Sequence, residues 1–104
     1  DQNFVLRDAK GAGKGMTLAA EAYSKDSGIF MKTYTDLPGV QFYIGNFITD
    51  MVGKNGAVYG KRSGFCFETQ NFPNSVNIPQ FPSAILKKGE RYNTETRYSF
   101  GVIK

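Results

Sequence analysis

The residues with the clearest chemical potential lie in one segment, residues 64–73. Strand alternation places Phe65 and Phe67 on one face of this segment and Glu68 on the other, beside the amide of Gln70. The two phenylalanines can anchor a core, so Glu68 offers a carboxylate from a rigid element. Most glutamates are exposed and structural, however, and the segment by itself leaves both a functional and a structural role open.

A second candidate pair lies near the middle of the chain. Gln41 and Tyr43 share the strand face opposite Val40 and Phe42. An amide beside an aromatic ring suits sugar binding through hydrogen bonds and ring contact. The same pattern is equally typical of an ordinary half-buried strand.

The single cysteine, Cys66, is interpreted as a small buried hydrophobic residue rather than a nucleophile, because the sequence identifies no obvious basic partner for it. One cysteine cannot form an internal disulfide, and the sequence contains no Asn-X-Ser/Thr glycosylation site. Both features fit a reducing compartment, and the predicted location is cytoplasmic.

Histidine is absent, which excludes a Ser-His-Asp triad, a Cys-His dyad or a histidine-rich metal site built from this chain alone. Thirteen Lys and Arg against nine Asp and Glu give a net charge of +4, and fifteen aromatic residues (nine Phe, six Tyr) raise the alternative of a nucleic-acid surface. The basic residues are scattered among acidic ones, which favours an ordinary solvated surface without nucleic acid.

Two glycine-lysine runs resemble phosphate-binding loops but have the wrong spacing. Asp8 and Asn55 stand where the first glycine of the G-x-x-x-x-G-K-[ST] pattern is required, before Gly13-Lys14 and Gly60-Lys61 respectively. The first run is interpreted as a flexible hairpin loop and the second as a turn-rich connection.

A period near two dominates the chain and predicts an all-β fold of antiparallel strands with no substantial helix. The 104 residues suffice for one small domain or part of a larger one, and no apolar run is long enough to span a membrane. Residues 72–82 are expected to be extended and unpaired, because they contain three prolines. The predicted strands cover residues 4–6, 16–23, 29–35, 40–47, 64–70, 83–86 and 92–103, with the second and third forming a hairpin.

Several blocks of the sequence resemble the aldose 1-epimerases, a family also called galactose mutarotases. The match covers essentially the whole chain, and such a long ordered match is more specific than any short motif. The blocks are residues 1–6 (DQNFVL), 37–47 (LPGVQFYIGNF), 53–61 (GKNGAVYGK), 64–70 (GFCFETQ) with the prolines after it, and 98–102 (YSFGV).

The resemblance implies that residues 1–104 are the C-terminal portion of a longer β-supersandwich domain. It implies an isomerase that interconverts α- and β-anomers of hexoses such as galactose and glucose, without cofactor or metal. Glu68 matches the family's catalytic base, and Asp1 and Gln41 match residues that hydrogen-bond sugar hydroxyls. Gln2 replaces a common histidine of the family, which leaves the chemistry assigned to Glu68 unchanged.

The same resemblance implies a partner, because the family's catalytic histidines lie upstream of the residues matched here. The missing N-terminal portion of the domain, covalently joined or supplied as a second chain, is expected to provide the acid. The alternative from another functional class is a noncatalytic carbohydrate-binding β-module, and a weaker one is a nucleic-acid-binding β-domain.

Overall fold

Residues 2–104 fold into two three-stranded antiparallel sheets and one short two-stranded ribbon. The computed structural model describes residues 2–104, in which the helical turns are the 3-10 segments Lys54–Gly56 and Ser75–Asn77. The all-β prediction is therefore confirmed, and no helix in this range has the length and apolar character of a membrane span. The strands are β1 (Gln2–Val5), β2 (Thr17–Tyr23), β3 (Ile29–Thr35), β4 (Gly39–Tyr43), β5 (Met51–Val52), β6 (Val58–Tyr59), β7 (Cys66–Gln70) and β8 (Thr96–Val102).

One sheet has the strand order β1-β4-β7, the other has the order β2-β3-β8, and β5 pairs with β6. The predicted hairpin between β2 and β3 is confirmed, and its turn is closed by the Gly28 amide, which donates to the Ser24 carbonyl at 2.8 Å. The glycine run at residues 11–15 is not a hairpin loop, because it joins β1 of one sheet to β2 of the other. This loop is also anchored, since the Gly13 amide donates to the Asp36 carboxylate at 2.9 Å.

Three predictions for the C-terminal half need correction. Residues 83–86 form no strand, and the Ile85 amide bonds instead to the Ser83 hydroxyl at 3.2 Å. The last strand begins at Thr96 rather than at residue 92, because its ladder with β3 starts at that residue. Residues 72–82 lie outside the strands as expected, but they contain a 3-10 turn rather than one extended segment.

The side of the β1-β4-β7 sheet that faces the other sheet is aromatic. Phe4, Phe42 and Phe67 occupy it and are here called the phenylalanine face. Across from them lie Leu18 and Ala20 of β2, and the two sets line a cleft of about 400 Å³. Ring centroids of Phe42 and Phe67 are 5.3 Å apart, so these two rings pack directly against each other.

This interior is only partly closed. Phe4 is 52% exposed and Phe100, on β8, is 68% exposed, whereas Leu37 and Val40 are the buried apolar side chains among residues 2–104. The solvent-accessible surface is 7947 Å², against roughly 5,800 Å² expected for a compact protein of this mass. The radius of gyration is 16.5 Å, against about 13 Å for a compact domain of this length. The chain therefore exposes apolar surface that a complete domain of its size would bury.

Candidate functional site

The strand register of the β1-β4-β7 sheet brings three polar side chains into one line. Asn3 lies directly opposite Gln41, and Gln41 lies directly opposite Glu68. Directly opposed residues of antiparallel strands project from the same face of a sheet, with their Cβ atoms about 4.5–5.5 Å apart. These three residues, called the polar row below, lie on the face opposite to the phenylalanine face.

Glu68 lies at the outer end of the polar row. Its side chain is exposed, and β7 forms an edge of its sheet within the part of the chain that the structure describes. The two salt bridges found among residues 2–104 are those of Lys32 with Glu21 and of Arg97 with Glu95. No structural ion pair in this range therefore occupies the Glu68 carboxylate, which leaves it accessible to a ligand.

Gln41 is half-buried at the centre of the row, because β4 has a neighbouring strand on each side. The sequence predicted that Gln41 and Glu68 contribute to one site, and the register places them side by side on the same face. The third predicted residue, Asp1, lies outside the described residues. Its assignment to sugar binding stays a prediction.

Asn3 is the member of the polar row that sequence reasoning missed. Its Nδ2 atom is buried and, within residues 2–104, has no hydrogen-bond partner. A side chain at Gly39 would place its Cβ 2.8 Å from Asn3 Oδ1 and 3.0 Å from the Phe72 ring, so only glycine permits this close packing. Phe72 in turn packs edge-on against Phe81 with centroids 5.1 Å apart, which puts an aromatic pair beside the polar row.

Cys66 was expected to be buried, and this prediction is wrong. The thiol is free and exposed, because β7 begins at Cys66 and alternation places it on the same open face as Glu68. Tyr43 lies opposite Cys66 on this face, and its hydroxyl accepts a hydrogen bond from the Phe47 amide at 3.1 Å. That bond orders the loop that follows β4.

Asp36 organises the segment that leads into β4. It is only 4% exposed, and its carboxylate accepts hydrogen bonds from the Gly13 amide, the Thr94 hydroxyl and the Glu95 amide. Burial raises the pKa of this carboxyl, but the hydrogen bonds from Thr94, Gly13 and Glu95 outweigh it, so the pKa lies below its usual value. Asp36 therefore joins the glycine loop, the approach to β4 and the approach to β8 into one corner.

The chemistry available on this face is hydrogen bonding and proton transfer. A carboxylate, two amides and an aromatic pair are suited to holding a polyhydroxylated ring and to accepting a proton from it. Within residues 2–104, no group of three or more His, Cys, Asp or Glu side chains is placed to hold a metal ion.

Comparison with known proteins identifies the family of this chain. Residues 1–99 match the family described as Aldose 1-epimerase. The chain is 50% identical over 103 residues to galactose mutarotase of Mus musculus and 47% identical to that of Homo sapiens. It is 36% identical over 102 residues to aldose 1-epimerase of Escherichia coli (strain K12). The matches cover 96–98% of this chain but only 29% of each relative. The chain belongs to the aldose 1-epimerase family.

Proposed function

We propose that this chain is the base-bearing C-terminal portion of an aldose 1-epimerase domain. The domain interconverts the α- and β-anomers of hexoses such as galactose and glucose. The observation that carries the proposal is the register of β4 and β7, which places Gln41 directly beside Glu68 on an open polar face. The relatives named galactose mutarotase and aldose 1-epimerase support the same activity.

The reaction needs a base and an acid on the same sugar. A base takes the proton from the C1 hydroxyl while an acid protonates the ring oxygen, and the pyranose opens to the free aldehyde. Rotation about the C1–C2 bond then presents the other face of the carbonyl for reclosure. The two groups must flank the sugar, so a single strand cannot supply both.

Glu68 is the base in this proposal. Its exposed carboxylate projects from the face that also carries Gln41, so a hexose bound to the amide lies within reach of the carboxylate. Gln41 and Asp1 hydrogen-bond the sugar hydroxyls and thereby align C1 with the base. The Phe72–Phe81 pair beside the row offers a ring edge to the apolar side of the sugar.

The acid and the remaining walls of the cleft come from the missing N-terminal portion of the domain. This chain contains no histidine, and its phenylalanine face is partly open to solvent. An apolar sheet face of this kind is stabilised when further strands cover it. The N-terminal portion, joined covalently or supplied as a second chain, supplies the acid and covers the apolar face.

The single free cysteine favours a cytoplasmic location.

The test uses the complete domain, in which this chain is combined with the N-terminal portion. Galactose, glucose and an oligonucleotide are titrated by calorimetry, and anomerisation of α-galactose is followed by polarimetry. The proposal expects sugar binding together with accelerated anomerisation. Sugar binding without anomerisation would identify a noncatalytic carbohydrate-binding module, and binding of the oligonucleotide alone would contradict both.

A further inference from the structure

Two hydroxyl groups of β8 contact β7, the strand that carries Glu68. One contacts the residue before Glu68 in sequence and the other contacts the residue after it. We propose that Tyr98 and Thr96, the hydroxyl clamp, hold β7 in place and thereby position Glu68 for proton transfer. This inference rests on the proposed role of Glu68 as the base. Tyr98 and Thr96 are assigned as positioning residues, because their hydroxyl groups bond the side chain of Thr69 and the backbone of Phe67 on β7.

The clamp contacts the two residues that flank Glu68 in sequence. The Tyr98 hydroxyl donates a hydrogen bond to the Phe67 carbonyl oxygen at 3.0 Å. The Thr96 hydroxyl forms a hydrogen bond with the Thr69 hydroxyl. Movement of Glu68 relative to β8 would therefore stretch at least one of the two contacts.

Strand β7 needs such support because it lies at an edge. Among the described strands it pairs with β4 alone, so one of its sides lacks a backbone ladder. An edge strand with unpaired amides and carbonyls is held less firmly than a central strand. Proton transfer is sensitive to this, since a misplacement of about 1 Å can reduce turnover by about 10²-fold.

The two clamp contacts are made to different parts of β7. Thr96 bonds the Thr69 side chain, which lies on the face opposite to Glu68, whereas Tyr98 bonds the Phe67 backbone carbonyl. The clamp is also anchored, because Tyr98 is paired with Thr33 of β3, the central strand of its sheet, and Thr33 is fully buried. The hydroxyl clamp thus connects β7, which carries Glu68, through β8 to β3, the central strand of the other sheet.

The test measures turnover and KM for α-galactose in the complete domain. Tyr98→Phe and Thr96→Val each remove one clamp hydroxyl while keeping the shape of the side chain. We expect the turnover number to fall about 10-fold in each variant, with KM changed less than about 2-fold. Thr96→Ser, which keeps the hydroxyl, should restore most of the turnover. Tyr23→Phe is the matched control, because Tyr23 is 54% exposed on β2 and Tyr98 is 46% exposed on β8.

The possible outcomes distinguish failure of the hydroxyl clamp proposal from failure of the assignment of Glu68 as the base. Normal turnover in Tyr98→Phe and Thr96→Val, alongside an inactive Glu68→Gln variant, would overturn the clamp and leave the proposed function intact. Full activity of Glu68→Gln would overturn the proposed function and the clamp with it. Loss of folded protein in both clamp variants, or equally low turnover in Thr96→Ser and Thr96→Val, would show that these residues stabilise the fold generally, which also overturns the positioning role.

Discussion

The two faces of the β1-β4-β7 sheet differ in chemistry and in completeness. One face carries the polar row Asn3, Gln41 and Glu68, aligned by the strand register and accessible at its Glu68 end. The other is the phenylalanine face, of which Phe4 remains 52% exposed and Phe42 36% exposed. An exposed carboxylate stays hydrated, whereas an exposed aromatic ring lacks the hydrophobic stabilisation of about 25 cal/mol per Å² that burial of its surface would give.

The same three strands therefore perform two separate tasks. Because side chains alternate along each strand, residues that hold the sheet against its neighbours and residues that meet a ligand are adjacent in sequence but opposite in space. Phe67 and Glu68 show this most clearly, because they are adjacent in sequence and project from opposite faces of β7. A substitution on one face should therefore change chemistry, and a substitution on the other should change assembly and stability.

The largest expected effect is on the polar face. Glu68→Gln keeps the shape and hydrogen bonding of the side chain but removes the base, so turnover of the complete domain should fall at least about 10²-fold while sugar affinity changes little. Glu21→Gln is the matched control, because Glu21 is an exposed strand glutamate of the other sheet that pairs with Lys32 at 3.5 Å. Near-normal anomerisation by Glu68→Gln would remove this residue from the role of base.

The next effect is on the phenylalanine face. Phe4→Ala should lower the free energy of unfolding of the complete domain by about 2–4 kcal/mol, because covering strands would bury a ring that is 52% exposed here. Chemical denaturation measures this change, and the turnover per folded molecule should stay the same. A change near zero would mean that Phe4 remains exposed in the complete domain, and that the phenylalanine face is not covered by further strands.

Asp36 joins the glycine loop to the segments that lead into β4 and β8. Asp36→Asn removes the charge that the Gly13, Thr94 and Glu95 donors stabilise, and should lower the free energy of unfolding by about 1–3 kcal/mol at neutral pH. The native pKa is lowered, so this stabilisation is fully present above the ordinary carboxyl pKa of about 3.9 and is lost as the pH falls through the native value. Denaturation of wild type and variant between pH 7 and about pH 3 should show the difference shrinking with acid, whereas a constant difference would contradict the assignment.

The smallest expected effect is at Cys66. This residue lies on the polar face but has no role in the proposed proton transfer, so Cys66→Ala should change the free energy of unfolding by less than about 1 kcal/mol and leave turnover intact. Polarimetry and thermal denaturation check the two expectations. A hundredfold loss of turnover in a well-folded Ala variant would place the thiol in the mechanism.

Local sequence patterns were sufficient for the strands and faces that matter most. The alternation around Val40 and around Phe67 predicted correctly that Gln41 and Glu68 project away from the core, and the hairpin between β2 and β3 was also predicted correctly. Such patterns depend on neighbours in sequence, and both hydrophobic alternation and turn chemistry are local properties.

The remaining features depend on partners distant in sequence. Asn3 belongs to the polar row because of the register between β1 and β4. The sequence of β1 alone does not determine that register. The exposure of Cys66 and the absence of a strand at residues 83–86 likewise depend on which strands lie alongside. The anchoring of the residue 11–15 loop by Asp36 spans more than twenty positions and has no local signal.

In the proposed domain this chain supplies the base and part of a sugar-binding face, and the rest of the domain supplies the acid and the strands that cover the phenylalanine face. Polarimetry of α-galactose with the chain alone, with the N-terminal portion alone and with both together tests this division of roles. Neither portion alone should accelerate mutarotation measurably above buffer, and the combination should restore catalysis that the Glu68→Gln chain does not restore. Strong catalysis by a demonstrably monomeric 104-residue chain would contradict the claim, because a base without its acid forfeits about 10²-fold or more of the rate.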